Sequence, residues 1–454
     1  MVELGKTLKA MSAETKRNFS DDERVRILQR KLYRKAKQEP EFKLYILYDK
    51  ISMPYCLREA YRRLKANRGS AGIDGVSFSQ IEEEGLDAFL LNIEDELRAE
   101  TYKPSAVKRV YIPKANGKLR PLGIPTIKDR IVQMSCKMVI EPLFESDFQP
   151  CSYGFRPKRS AEGAIREIRQ NLKDYKVEVF DADLSGYFDT IPHHKLMILL
   201  KERISDLRVL RLIGMWLKVP IVEVDERGKK RIFGGKKNKV GTPQGGVISP
   251  LLANIYLNLL DRIICKKDGY YAKRGIKLVR YADDFVIMGR HLDSEVLNRI
   301  ISLLTRMGLT VNEEKSRMID ARKESFDFLG FTFRYDKVFQ KKSHFWNVFP
   351  SKKSKSKLIA NIKAYLKVRS HLPIFVIVKG LNEKLRGWLN YFTIPKVCRM
   401  MQTCNVLKSY LKYRLKIWFK SKSQRKCRLY RRNPYDILVN HFGLQNVLKY
   451  AFLC

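Results

Sequence analysis

"VRYADDFVIMG" (279–289) sets two adjacent carboxylates, Asp283 and Asp284, between two runs of apolar β-formers. Leu278, Arg280 and the run Phe285 to Met288 read as two short strands, with Ala-Asp-Asp as the tight turn joining them. Aspartate suits a turn because its carboxylate bonds nearby backbone amides. That local reading leaves the repulsion between two neighbouring anions unexplained. A divalent cation removes it: hard ions such as Mg²⁺ take oxygen ligands, usually one or two carboxylates completed by phosphate and water. Such a site needs a third acid from elsewhere in the chain and a substrate that carries phosphate.

"FDADLSGYFDTI" (180–191) offers Asp181, Asp183 and Asp189. Strand alternation puts Val177, Val179, Asp181 and Asp183 on one side, so spacing does not choose between the first two. Any one of these acids, taken alone, reads as a turn cap. Three neighbouring features bear on phosphate chemistry. In "YIPKANGKLRPLG" (111–123), Lys114 and Arg120 flank a hairpin tip, where they can meet a triphosphate or stay solvated. In "GTPQGGVISP" (241–250), Gly245 and Gly246 permit close backbone approach beside Gln244, whose amide both donates and accepts. Tyr187 offers a flat aromatic wall to a sugar ring, or simple core packing.

The bulk numbers favour a polyanionic partner. The chain has 454 residues, with 90 Lys plus Arg against 48 Asp plus Glu and a net charge of +42. A field of that size attracts nucleic acid above all. From Ser351 onward there are 24 Lys or Arg but only Glu383 and Asp436 as acids, which suggests a grip rather than a reaction centre. Eight cysteines without Cys-x-x-Cys pairs argue for a reducing compartment and against structural zinc. The N-terminus lacks the apolar core of a signal peptide, and no apolar run approaches ~20 residues. A cytoplasmic protein without membrane contact is expected.

Helical patterns are expected before Pro40, over 51–64, to about Arg98, and over 128–144 and 293–307. "NRGSAGIDGVS" (67–77) reads as a glycine-punctuated loop, 107–125 as a hairpin, and 326–336 as strands. "GTPQGGVISPLLANIYLN" is a loop entering a long apolar helix. "SKKSKSK" (351–357) reads as a solvated linker at a domain boundary, beyond which the pattern is helical. "IFVIV" (374–378) reads as a buried strand or helix segment.

Eight segments in order resemble the reverse transcriptase/maturase family of group II introns: "NRGSAGIDGVS", "YIPKANGKLRPLGIPT", "SYGFRPKRSAEGA", "DADLSGYFDTIPH", "GTPQGGVISPLLANIYLN", "RYADDFVI", "LTVNEEKS" and "FDFLGFTF". The likeness is dense over residues 50–335 and looser through "LRGWLNYF" (385–392). It implies an α+β right-hand polymerase, with fingers, an antiparallel palm sheet and a helical thumb/maturase region. The implied divisions are a basic extension (1–50), template loop and fingers (51–180), palm interleaved with fingers (181–345), thumb/maturase (351–432) and a tail (433–454).

The resemblance also implies roles. Asp183, Asp283 and Asp284 would hold two Mg²⁺ ions, with Mn²⁺ as a substitute and the Leu184 carbonyl as an extra ligand. Asp183 rather than Asp181 matches the family acid. Tyr187 would select deoxynucleotides, Lys114 and Arg120 would meet the triphosphate, and Gln244 would support the sugar and template pair. Arg68, Gly69 and Ser70 fall in the loop that closes over the template. The implied partners are an RNA template, a DNA primer, deoxynucleoside triphosphates and group II intron RNA.

Helical spacing of Leu, Tyr and Trp in "VLKSYLKYRLKIWFKSKSQRKCRLYRR" (406–432) assigns those side chains to packing. Lys412, Arg414, Lys416, Arg425 and Arg428 on the same stretch are candidate phosphate contacts, and Trp388 is expected in the core. The tail has one histidine and no paired cysteines, so the terminal nuclease of many family members is not expected. Two other readings stay open: an RNA-binding splicing scaffold, and a domesticated reverse transcriptase in phage defence or spacer acquisition.

Overall fold

The computed structural model describes residues 19–113, 117, 119–224, 230–235, 237–242, 245–338, 343–368, 372–422 and 433–453. At its centre lies a four-stranded antiparallel sheet ordered β6 (Lys277–Tyr281), β7 (Asp284–Gly289), β3 (Glu178–Ala182), β8 (Arg317–Asp320). Successive side chains of a strand point to opposite faces, and here both faces are covered. Phe180, Ala182, Leu278, Phe285 and Ile287 enter one core with helices Ile127–Glu145 and Ser249–Ile264. Val179, Val279, Val286, Met288 and Ile319 enter a second core with helix Ala161–Lys173 and the C-terminal helices. Double burial explains why Phe285 to Met288 is an unbroken apolar run rather than an alternating one.

A second sheet runs β2 (Leu119–Ile124), β1 (Val107–Pro113), β4 (Pro220–Val224), β5 (Lys230–Gly234). The expected 107–125 hairpin is its β1–β2 pair, and β4 joins β1 in parallel. A third sheet, β11 (His344–Pro350), β10 (Phe331–Lys337), β9 (Phe326–Phe328), leads into the helical region. There, helices Lys352–Val368, Ile374–Phe392, Met401–Lys422 and Pro434–His441 bury Leu358, Ile362, Leu381, Leu385, Leu411 and Leu438 together.

One expectation changes and two become more definite. "SKKSKSK" is not a linker but opens helix Lys352–Val368: the Ser351 hydroxyl accepts from the Ser354 amide at 3.2 Å, while Leu358 and Ile362 continue the apolar stripe. "IFVIV" becomes the first turns of helix Ile374–Phe392. Within the tail, Tyr435, Leu438 and Val447 lie in the second core. At the other end, helix Asp21–Gln38 starts at a Ser20–Glu23 capping box and buries Val25, Leu32 and Ala36 in the first core. Among the described residues no helix is long and apolar enough to cross a membrane.

Candidate active site

Strand register brings the acids together. β3 pairs with β7 through Asp181↔Val286 and Ala182↔Phe285. The β3 strand ends at Ala182, so Asp183 follows at the sheet end where β7 begins with Asp284. The Asp183 charge is felt at both Asp283 and Asp284, so anions confront one another at this sheet end. β6 and β7 join through Ala282 and Asp283, since Tyr281 pairs with Asp284. Ala282 adopts φ 58°, a left-handed conformation unusual for a residue with a Cβ.

The segment after helix Ser294–Arg306 laces this strand end. Asn312 N donates to the Asp183 carbonyl at 2.8 Å, and Ser185 N donates to the Thr310 carbonyl at 2.9 Å. The bridge Leu184↔Val311 thus runs through the residues flanking Leu184, not through the Leu184 carbonyl. The Asp183 amide donates to Ser316 Oγ at 3.0 Å, and Lys315 Nζ lies 2.9 Å from Asp183 Oδ2.

The electrostatics report a shortage of positive charge. Asp284 is exposed at the start of β7, yet desolvation by the surrounding protein, followed by repulsion from Asp283, Asp183 and Asp181, pushes its pKa up to about 6. Burial raises Asp283 as well; its own amide and the charge of Arg120 oppose that shift, and Asp183 adds to it. Burial likewise carries Asp181 to about 6, against the pull of Arg317 at 4.0 Å. Among the described residues no three His, Cys, Asp or Glu side chains are arranged so that they could hold a metal ion as they stand. The donors are nevertheless hard oxygens whose mutual repulsion a divalent cation relieves, so the residues fit such an ion.

Arg120 projects from β2 opposite Ile112, exposed, with its charge felt at Asp283. Lys114 and Gln244 lie outside the described residues. Next to Gln244, Gly245 holds φ 107°, and a Cβ there would stand 2.2 Å from the Gly123 carbonyl, so the loop lies directly on β2. Arg68, Gly69 and Ser70 sit in a loop docked on helix Ile127–Glu145: Arg130 Nη2 donates to the Ser70 carbonyl at 2.5 Å. A Cβ on Gly72 would meet Thr126 Cα at 2.6 Å.

Tyr187 offers no exposed aromatic face. Its ring is 2% exposed and its hydroxyl donates to the Ala253 carbonyl at 2.6 Å. Gly186, at φ 55°, starts the short helix Tyr187–Thr190 and turns the first aromatic inward. The half-buried ring on that turn is Phe188, edge-on to Tyr187 at 5.5 Å.

On helix Met401–Lys422, Lys416 is exposed, Arg414 is half-buried, and Lys412 lies 3.6 Å from Asp436. Arg425 and Arg428 lie outside the described residues. Trp388 is partly buried against the second core, 4.6 Å from Phe392. Sequence reasoning missed Lys315, Arg130 and Phe188. Lys315 is 132 residues from Asp183, and only its place in the quoted "LTVNEEKS" hinted at the site.

Two family profiles match: "Reverse transcriptase (RNA-dependent DNA polymerase)" over residues 112–333, and "Group II intron, maturase-specific domain" over 355–435. Protein YkfC of Escherichia coli (strain K12) is 38% identical over 301 residues, 59% of this chain and 77% of that protein. Group II intron-encoded protein LtrA of Lactococcus lactis subsp. cremoris is 35% identical over 221 residues, 48% of this chain but only 35% of its own length. A 91 kDa protein in the cob intron of Schizosaccharomyces pombe is 28% identical over 409 residues, 74% of this chain and 49% of that protein.

Proposed function

Because the chain belongs to the group II intron-type reverse transcriptase/maturases and is on that ground an RNA-directed DNA polymerase, we propose that Asp183, Asp283 and Asp284 form its reaction centre and hold two Mg²⁺ ions, with Mn²⁺ as a substitute. The observation that carries this reading is the end of the β3–β7 ladder at Ala182 and Phe285, after which Asp183 follows near the 281–284 turn and its charge is felt at Asp283 and Asp284. When bound, the ions supply Lewis-acid stabilisation to the attacking and leaving oxygens of nucleotidyl transfer.

The protein supplies the rest. Arg120 places positive charge where a triphosphate approaches the hairpin, together with Lys114. Phe188, in place of Tyr187, offers the aromatic wall against the sugar of the incoming deoxynucleotide. Gln244 supports that sugar, and the Leu184 carbonyl would add an oxygen ligand to a bound metal. Lys315 neutralises Asp183 until a cation arrives.

Residues 51–180 serve as template loop and fingers, 181–345 as palm, and 351–432 as thumb/maturase. The loop at Arg68, Gly69 and Ser70 covers the RNA template. Arg414, Lys416, Arg425 and Arg428 contact phosphates of the primer–template or of group II intron RNA, with Lys412 joining them when released from Asp436. The charge surplus beyond Ser351 supports this assignment.

Purified protein given an RNA template, a DNA primer, Mg²⁺ and deoxynucleotides is expected to extend the primer. Asp283→Ala should abolish extension while RNA binding is retained; wild-type synthesis by that variant rejects the site. Splicing of intron RNA by the same variant separates a scaffold role, which survives, from one that needs polymerisation.

A further inference from the structure

Behind the acidic turn lies a cation that never meets solvent. Arg280 on β6 is 0% exposed, and each of its five N–H donors has an acceptor. Nε donates to Asp261 Oδ1 at 2.8 Å, and Nη2 donates to Asp261 Oδ2 and to Ser152 Oγ. Nη1 donates to Asn254 Oδ1 at 2.9 Å and to the Ala282 carbonyl at 2.8 Å. The main chain is tied as well: Arg280 N donates to the Cys151 carbonyl at 2.9 Å, and Tyr153 N donates to the Arg280 carbonyl at 2.8 Å.

The acceptors come from three separate segments. Ser152 belongs to the "SYGF" loop, Asn254 and Asp261 to helix Ser249–Ile264, and Ala282 to the hairpin itself. Loop and helix are joined independently by Asn254 Nδ2 donating to the Gly154 carbonyl at 2.8 Å. Gly154 lies so close that a Cβ there would stand 2.4 Å from Ala282 N. Ala282, whose left-handed φ is unfavourable for a residue with a side chain, is thus gripped at its carbonyl by Arg280 and crowded at its amide by Gly154. The residue before Asn254, Ala253, accepts the Tyr187 hydroxyl. One helix therefore steadies both the acidic turn and the aromatic pair beside it.

We propose that Arg280 is a positioning residue for the metal site: by holding the Ala282 carbonyl in its left-handed turn, it fixes Asp283 and Asp284 relative to Asp183. The inference rests on the reading of these three carboxylates as the metal site. A planar fork that satisfies two carboxylate oxygens, a hydroxyl, an amide and a peptide carbonyl at once has no substitute in a lysine, whose three donors radiate from one atom.

The test compares wild type, Arg280→Lys, the double variant Arg280→Met/Asp261→Leu, and Asp283→Ala. The double variant removes both charges together, so that neither is left buried alone. Mn²⁺ binding to the full chain is followed by electron paramagnetic resonance, alongside melting temperature and the Mg²⁺ concentration that half-saturates primer extension. Outer partners of metal ligands typically alter metal affinity by 10–100-fold. A loss of Mn²⁺ affinity of about tenfold, with an equal rise in the Mg²⁺ requirement and no change in RNA affinity, is expected for the folded double variant and for Arg280→Lys. Altered melting with unchanged metal affinity in both overturns the proposal and leaves Arg280 purely structural. If Asp283→Ala also binds Mn²⁺ like wild type, the metal-site reading itself fails and this inference falls with it.

Discussion

Two aspartates around the acidic turn are each paired with a cation, and the pairs differ in almost every physical respect. Asp261 and Arg280 are both 0% exposed at the side chain, joined in a two-pronged contact with every guanidinium donor engaged. Asp183 and Lys315 are 36% and 62% exposed and meet through a single contact at 2.9 Å. A buried ion pair gains little over an apolar replacement, but losing one partner strands a charge in the interior. A pair open to water contributes close to nothing and exchanges readily. The first pair is permanent scaffolding, while the second is a provisional neutralisation that another cation can replace.

The comparison breaks first at its buried member. Asp261→Ala leaves Arg280 without its counter-charge, and urea unfolding should show a loss of about 3–5 kcal/mol. A loss below 1 kcal/mol would mean that water reaches the guanidinium and that the two pairs are alike.

A smaller effect is expected where no permanent cation is present. The Asp284 pKa is raised to about 6 from an ordinary 3.8. The folded, metal-free protein therefore holds a proton between those values that the unfolded chain has released. Stability from this group falls as pH rises from about 4 to 6 and stays reduced above. Asp284→Asn should accordingly raise the melting temperature of metal-free protein at pH 7 by up to about 2 °C, and the gain should fade as pH is lowered towards 4. A gain that grew on acidification would contradict the sign.

The smallest change belongs to the exposed pair. Lys315→Ala should alter stability by less than about 1 kcal/mol, and by less still at high salt. A large, salt-insensitive loss would promote Lys315 to the same class as Arg280.

The hairpin at 283–284 was legible in sequence because two apolar runs flank a turn dipeptide, and the matching strand at 178–182 was legible for the same reason. Choosing Asp183 over Asp181 was not legible from spacing, since both lie on one face. The fold separates them: Asp181 pairs inside the sheet with Val286 and Arg317, whereas Asp183 lies just past the end of β3 and adds to the repulsion at both Asp283 and Asp284. Tyr187 misled because Gly186 breaks the alternation that would otherwise have aimed it, and a short helix turns its ring inward. Strands β4 and β5 went unread because β5 exposes all five of its residues and so carries no hydrophobic period. The basic character of the C-terminal helices was plain from composition. The pairing of Lys412 with Asp436 was not, since nothing local links residues 24 positions apart.

The central sheet is covered on both sides, by Phe285 and Ile287 on one and by Val286 and Met288 on the other. A shift of one residue would exchange these sets, forcing each into a cavity shaped for the other. Neither half of the molecule can therefore melt and leave the other's cavity filled. Denaturation should proceed as a single cooperative event running through β3 and β7, with amide exchange slowest in those two strands.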